Sequence, residues 1–150
     1  MNNIGSFDSM PIMRRVKGRV LVGGSAQAGI CATRNMLSFW GGYDPATGEI
    51  VDRHHPLSEE NLTGRIFALP KGKGSSTGSA VLLDALHSGH APAGIILNKV
   101  DEIIVLGVVV FEEFFDRKIP VVQLDDLDFE AIFLASGASI SDDGTVTLYE

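Results

Sequence analysis

Gly64-Arg-Ile-Phe-Ala-Leu-Pro-Lys-Gly-Lys-Gly-Ser-Ser-Thr-Gly-Ser-Ala-Val-Leu-Leu-Asp-Ala-Leu-His87 is the stretch on which the fold turns. Its first residues, up to Leu69, are a short apolar run bounded by Gly64 and Pro70, which predicts a strand. From Ser79 onward Ala80, Leu83, Ala85 and Leu86 recur near helical spacing. Strand, glycine loop and helix in that order are the repeating unit of an α/β domain.

The loop between them carries the chemistry. Gly72, Gly74 and Gly78 allow positive φ or a close approach of backbone to ligand. Ser75, Ser76 and Thr77 gather three hydroxyls at a helix start, where unpaired N–H groups and the helix dipole favour negative charge. Lys71 and Lys73 add cations beside them. The same residue types also build an ordinary helix N-cap, so on the residues alone an anion site and a plain cap both stand. The loop is not a Walker P-loop, because Lys73 precedes the serines instead of following the closing glycine, and it is not the dinucleotide fingerprint.

Before the loop, Val16-Lys-Gly-Arg-Val-Leu-Val22 predicts a first strand stopped by Gly23-Gly24, and Ser25-Ala-Gln-Ala-Gly29 a loop. Residues 30–35 predict a short strand, and Leu37-Ser-Phe-Trp40 continues the apolar run. Tyr43-Asp-Pro-Ala-Thr-Gly48 is turn chemistry, and residues 49–52 predict a return strand. After the central helix, Gly89-His-Ala-Pro92 breaks the chain and Ala93-Gly-Ile-Ile-Leu97 predicts a buried strand. Residues 103–115 are ambiguous between strand and helix. A helix over 108–117 is expected because a crossover must precede the next strand, Ile119-Pro-Val-Val-Gln-Leu124. Leu124-Asp-Asp-Leu-Asp128 reads as an acidic turn. Residues 129–134 and Thr145-Val-Thr-Leu-Tyr149 then form an expected terminal strand pair, with Asp142-Asp-Gly144 as its hairpin signal. The expected organisation is an N-terminal arm over residues 1–14 and a single mixed α/β domain over 15–150.

Composition narrows the class. With 150 residues, 45% hydrophobic and 21% charged, the chain is long enough to bury its own core and ordinary for a soluble globular domain. A net charge of −7 argues against a nucleic-acid surface, which needs clustered Lys and Arg. No apolar run approaches the roughly 20 residues that span a bilayer, and no secretory pattern opens the sequence. A cytoplasmic location without membrane association is the expectation. The single cysteine, Cys31, excludes an internal disulfide and is too few thiolates for an iron–sulfur cluster.

Four other features attract functional readings that weigh less than structural ones. Cys31 sits among small residues and reads as buried packing rather than a nucleophile. Trp40 beside Gly41-Gly42 reads as core before pocket. His54 and His55 are neighbours on extended chain, so they point to opposite faces and do not close on one ion. No metal ligand is assigned to this chain. Glu112 and Glu113, with Asp116 and Arg117, read as a solvated helix face rather than an acid/base pair.

The Gly74-Ser75-Ser76 pattern resembles the loop of the aconitase swivelling domain, in which the first serine after the glycine removes the substrate proton. Aconitase has an arginine next; here Thr77, Gly78 and Ser79 follow. With that departure, the chain resembles the small subunit of the aconitase X family. Gly18-Arg-Val-Leu-Val-Gly-Gly24, Ser38-Phe-Trp-Gly-Gly-Tyr-Asp-Pro-Ala-Thr-Gly48, His55-Pro-Leu57, Gly64-Arg65, Ala93-Gly-Ile-Ile-Leu97 and Ile119-Pro-Val121 carry the likeness over roughly residues 15–124. At Glu59 or Glu60 the family often carries a glycine, which this chain lacks.

The resemblance implies a swivelling β/β/α domain that docks on a larger aconitase X-type subunit, with a hydro-lyase active site at their interface. It implies Ser75 as general base, with Lys73, Gly74, Ser76 and Thr77 holding substrate. It also implies an iron or iron–sulfur cluster held by the large subunit, and a small hydroxy acid as substrate. Among family members it points to the cis-3-hydroxy-L-proline dehydratases, with phosphomevalonate dehydratases as the alternative. The residues leave open whether Ser75 or Ser76 is the base. They also leave open a non-catalytic anion-binding domain, and a stand-alone hydrolase with Ser75 as nucleophile and His87 or His90 as its base.

Overall fold

The structure is a computed structural model that describes residues 9–72 and 77–150, the side chains of Trp40, Thr77, Gly78 and Ser79 excepted. Residues 1–8 of the expected arm lie outside the described residues. Strand β1 spans Ile12–Lys17 and β2 Arg19–Val22, followed by β3 at Ala26–Ala32, a single helical turn α1 at Phe39–Gly42 and β4 at Ile66–Leu69. Helix α2 (Thr77–Ser88), β5 (Gly94–Leu97), α3 (Glu102–Phe115) and β6 (Val121–Gln123) follow. Helix α4 (Asp126–Ala131), a 3-10 turn at Ile132–Leu134, and the strands β7 (Gly137–Ile140) and β8 (Thr145–Tyr149) complete the chain.

The eight strands form one sheet in the order β1-β8-β7-β3-β4-β5-β6-β2. One half is parallel, β3 to β6 in chain order, with connections through α1, α2 and α3. The other half is antiparallel, with β1 on β8, β8 on β7, and β7 on the first residues of β3. β3 therefore belongs to both halves, pairing through Ala26–Gly29 with β7 and through Ile30–Ala32 with β4.

Because β1 and β2 stand at opposite edges of that order yet are separated only by Gly18, the sheet folds over on itself. Gly18 sits where the halves meet: its N–H donates to Gly144 O at 2.8 Å. A Cβ there would lie 3.1 Å from Leu124 Cδ2 and 3.2 Å from both Gln123 O and Gly144 O. Such close backbone approach is what glycine permits.

Strand alternation then feeds two cores. Ile66, Ala68, Ile96 and Val122 face inward between the sheet halves, with Val16, Ala138, Ile140, Val146, Leu148, Phe129 and Ile132. Phe67, Leu69, Ile95, Leu97 and Val121 face the helices, packing on Leu82, Ala85, Ile104, Val108 and Phe111. Sheet half, sheet half and helix layer make the β/β/α architecture. The strands shared by both cores are apolar on both faces, as parallel strands covered on both sides must be.

Several local expectations are corrected. Ser25–Gly29 is not a loop, since Ala26 to Gly29 are in ladder with Ile140 to Gly137. β1 begins at Ile12, inside the stretch expected to be an arm, because Ile12 and Arg14 pair with Tyr149 and Leu148. The expected return strand over 49–52 is reduced to isolated bridges, Tyr43 with Ile50 and Glu49 with Asn61. Residues 103–115 are helix throughout, starting earlier than residue 108. The run 129–134 is helical rather than a strand: Asp125 accepts from Asp128 N at 2.9 Å and starts α4, so the supposed acidic turn is its N-cap. The partner of β8 is β7 instead, and Ser141–Gly144 forms the expected turn between them.

Candidate functional site

Ligands of parallel α/β sheets bind outside the carboxyl ends of the strands. In this chain three segments leave those ends side by side, after β3, β4 and β5. Leu37, from the first, bridges to Gly72 in the second. Pro70 O, in the second, accepts from Asn98 N at 3.2 Å and Lys99 N at 2.9 Å in the third. Between the segments opens a cleft of about 510 Å³ lined by Met36, Lys71, Gly72, Val100, Asp101, Glu102 and Ile103.

Asp101 occupies the centre of this arrangement and is 7% exposed. One carboxylate oxygen caps α3, accepting from Ile103 N at 2.9 Å and Ile104 N at 3.1 Å. The other accepts from Gly72 N at 2.5 Å. A Cβ at Gly72 would fall 2.7 Å from that oxygen, so the approach requires glycine. The sequence reading missed Asp101. An Asp directly before an apolar helical run is an N-cap signal, but its partner lies 29 residues upstream.

The loop residues themselves divide. Lys73, Gly74, Ser75 and Ser76 lie outside the described residues, and so does the side chain of Thr77, whose backbone opens α2. Lys71 is exposed on the rim of the cleft. Arg65 is at the opposite, amino-terminal end of β4, where it pairs with Glu60 at 2.9 Å and donates to Ile30 O at 2.9 Å. It adds no charge to the cleft. Ala26–Gly29 lie in the part of β3 remote from its carboxyl end and are not among the residues lining the cleft.

The other candidates are accounted for locally. His55 is buried, accepting at Nδ1 from Leu57 N at 3.1 Å and donating from Nε2 to Met36 O at 3.1 Å, which leaves no ring nitrogen for a metal. His87 and His90 are at the far end of α2, about 15 Å of helix from its start, which disfavours either as a base for the loop. Burial pushes the Cys31 thiol up from its ordinary value, against a smaller opposing effect of Arg65, so it stays protonated and unreactive. Glu113 is exposed, and Glu112 sits 4.0 Å from Lys118. The side chain of Trp40 is outside the described residues.

Among the described residues no group of three or more His, Cys, Asp or Glu side chains converges as a metal site. With Cys31 buried and His55 fully bonded, the described donor set does not fit an iron centre. No helix among the described residues is long and apolar enough to cross a membrane.

Comparison with known proteins agrees with this architecture. A cis-3-hydroxy-L-proline dehydratase of Hypocrea jecorina (strain QM6a) is 45% identical over 138 residues, covering 92% of this chain, while the chain spans only 23% of that protein's length. A phosphomevalonate dehydratase small subunit of Methanocella arvoryzae is 32% identical over 137 residues, covering 91% of this chain and 98% of that protein. The crystal structure of Thermococcus kodakaraensis aconitase X in its holo form superposes with a TM-score of 0.79 at 31% identity, covering 91% of this chain and 99% of that one. The aconitase X swivel domain matches residues 15–148, a span that contains the whole glycine-rich loop. By that match, and by a β/β/α layering shared with a solved aconitase X, the chain belongs to the aconitase X swivel domain family.

Proposed function

We propose that this chain is the small subunit of a two-chain hydro-lyase that dehydrates cis-3-hydroxy-L-proline, with Ser75 as the general base. The observation that carries the reading is the 45% identity to a cis-3-hydroxy-L-proline dehydratase over 92% of this chain. A larger chain corresponding to the rest of that protein would complete the active site over the cleft at the carboxyl ends of β3, β4 and β5. The iron or iron–sulfur cluster belongs, in this reading, to that larger chain, because the described donors here do not fit one.

The base would take the proton from the substrate carbon next to the carboxylate. The freed electron pair forms the double bond to the neighbouring carbon as hydroxide leaves it. A serine is a weak base near neutral pH, so its ionised form must be stabilised. A helix start offers N–H groups that the helix itself does not bond and the positive end of its dipole, which supports such a role for the residues leading into α2. In this reading Lys73, Gly74, Ser76 and Thr77 hold the substrate carboxylate and shape the loop.

A second reading, phosphomevalonate as substrate, draws on the relative that this chain matches over 98% of its length. The cleft favours hydroxyproline. Its described lining carries one cation, Lys71, against Asp101 and Glu102, and Arg65 is turned to the far end of β4. A zwitterionic amino acid suits that balance better than a phosphate ester.

The test is to co-express the chain with its larger partner, purify it anaerobically with iron and assay both substrates. Wild type should consume cis-3-hydroxy-L-proline, and Ser75→Ala should lose about 10²- to 10⁴-fold in kcat while the complex still assembles. Full activity in Ser75→Ala would remove Ser75 from the proton transfer, and selective loss in Ser76→Ala would move the role to its neighbour. Turnover of phosphomevalonate alone would replace the substrate assignment.

A further inference from the structure

The chain from Pro70 to Gly72 leads into the functional loop, and it is held from three sides. Pro70 O is tied to Asn98 N and Lys99 N, Leu37 bridges to Gly72, and Asp101 accepts the Gly72 N–H. The first two are backbone contacts. The third is the side-chain contact among them, and it comes from a carboxylate whose second oxygen is fixed by two N–H groups at the start of α3. A buried carboxylate accepting three N–H bonds is a stiff joint, because charge-assisted hydrogen bonds are roughly twice as strong as neutral ones and the helix start favours the charge.

We propose that Asp101 is a positioning residue: it locks the Gly72 peptide to the first turn of α3 and so fixes the course on which the chain enters the glycine-rich loop. The proposal rests on the reading of that loop as the functional site. It separates the two jobs of Asp101. Capping α3 needs one acceptor oxygen, which Asn or Ser also offers. Holding Gly72 needs the second, which neither supplies. In Asp101→Asn the amide NH₂ would face the Gly72 N–H, donor against donor.

The experiment compares wild type, Asp101→Asn and Asp101→Ser by amide hydrogen exchange in the full chain, and by turnover of cis-3-hydroxy-L-proline in the two-chain complex. Both variants should keep Ile103 and Ile104 as protected as in wild type while Gly72 exchanges about tenfold faster or more. In the complex, kcat should fall about tenfold to hundredfold with KM and assembly within about twofold. Unchanged exchange at Gly72 overturns the proposal. So does faster exchange at Gly72 with kcat intact, and so does an equal acceleration at Gly72, Ile103, Ile104 and the core strands, which would mark a role in overall stability. If the wild-type complex is inactive on this substrate, the functional reading fails on its own, and the exchange rates still decide whether Asp101 holds the loop entry.

Discussion

Glu59 adopts a φ of 75°, a left-handed conformation that suits glycine. The family resemblance leads one to expect a glycine at Glu59 or Glu60, and this chain has none at either. The Glu59 N–H donates to Ile50 O at 2.9 Å, so the turn is held in place despite the side chain. A left-handed backbone costs an L-residue about 1–2 kcal/mol, and glycine's larger unfolded-state entropy offsets roughly 0.5–1 kcal/mol of any relief. Glu59→Gly should therefore raise stability by about 0.5–1 kcal/mol in urea unfolding. An unchanged or lower midpoint would mean that the glutamate is unstrained there. The site shows the same division between what one position reveals and what it does not. Glycines and hydroxyls at a helix start make the loop a candidate in the sequence, because their meaning is local, although an anion site and a plain cap read alike there. Asp101 gives only half of its role away, since the cap is local and the bond to Gly72 crosses 29 residues.

Among the elements, α3 was hard to read because its outer face is also apolar. Ile104, Val108 and Phe111 are buried at helical spacing, but Leu106 and Val109 are 51% and 44% exposed, so no polar face marks the period. Helix α4 has six residues, too short for a periodic pattern to declare itself. The tie between α1 and α2 was equally hidden. Tyr43, just after α1, donates its hydroxyl to His90 O, just after α2, at 2.5 Å, and Phe39 packs edge-on against its ring. Burial pushes the Tyr43 phenol well above its ordinary 10.0, with the Asp44 carboxylate adding to the shift. The unfolded chain therefore releases this proton first. The stabilisation is fully present below the unfolded value and is lost as pH rises above it. Between about pH 9 and about pH 11 wild type should lose more stability than Tyr43→Phe, which itself starts about 1 kcal/mol lower for want of the hydrogen bond. Parallel declines, followed by urea unfolding, would place the alkaline sensitivity elsewhere.

At the scale of the whole molecule, the sequence shows that β4, β5 and β6 are apolar strands but cannot say against what they pack. A strand apolar on both faces has no polar side to orient it, and the division into two cores follows only once Gly18 brings the edges of the sheet together. The consequence is mechanical. Ile95 and Ile96 are neighbours on one strand, both 0% exposed, yet Ile95 packs toward the helices and Ile96 between the sheet halves. If a shared strand couples the two cores, damage to either must be felt by both. Ile95→Ala and Ile96→Ala should each cost about 2–5 kcal/mol. In each variant far-ultraviolet dichroism and near-ultraviolet signals from the aromatic residues should unfold in one coincident transition. Should Ile96→Ala instead release the antiparallel half while the helix layer stays folded, the cores are separable, and the domain's rigidity at the cleft would rest on the parallel half alone.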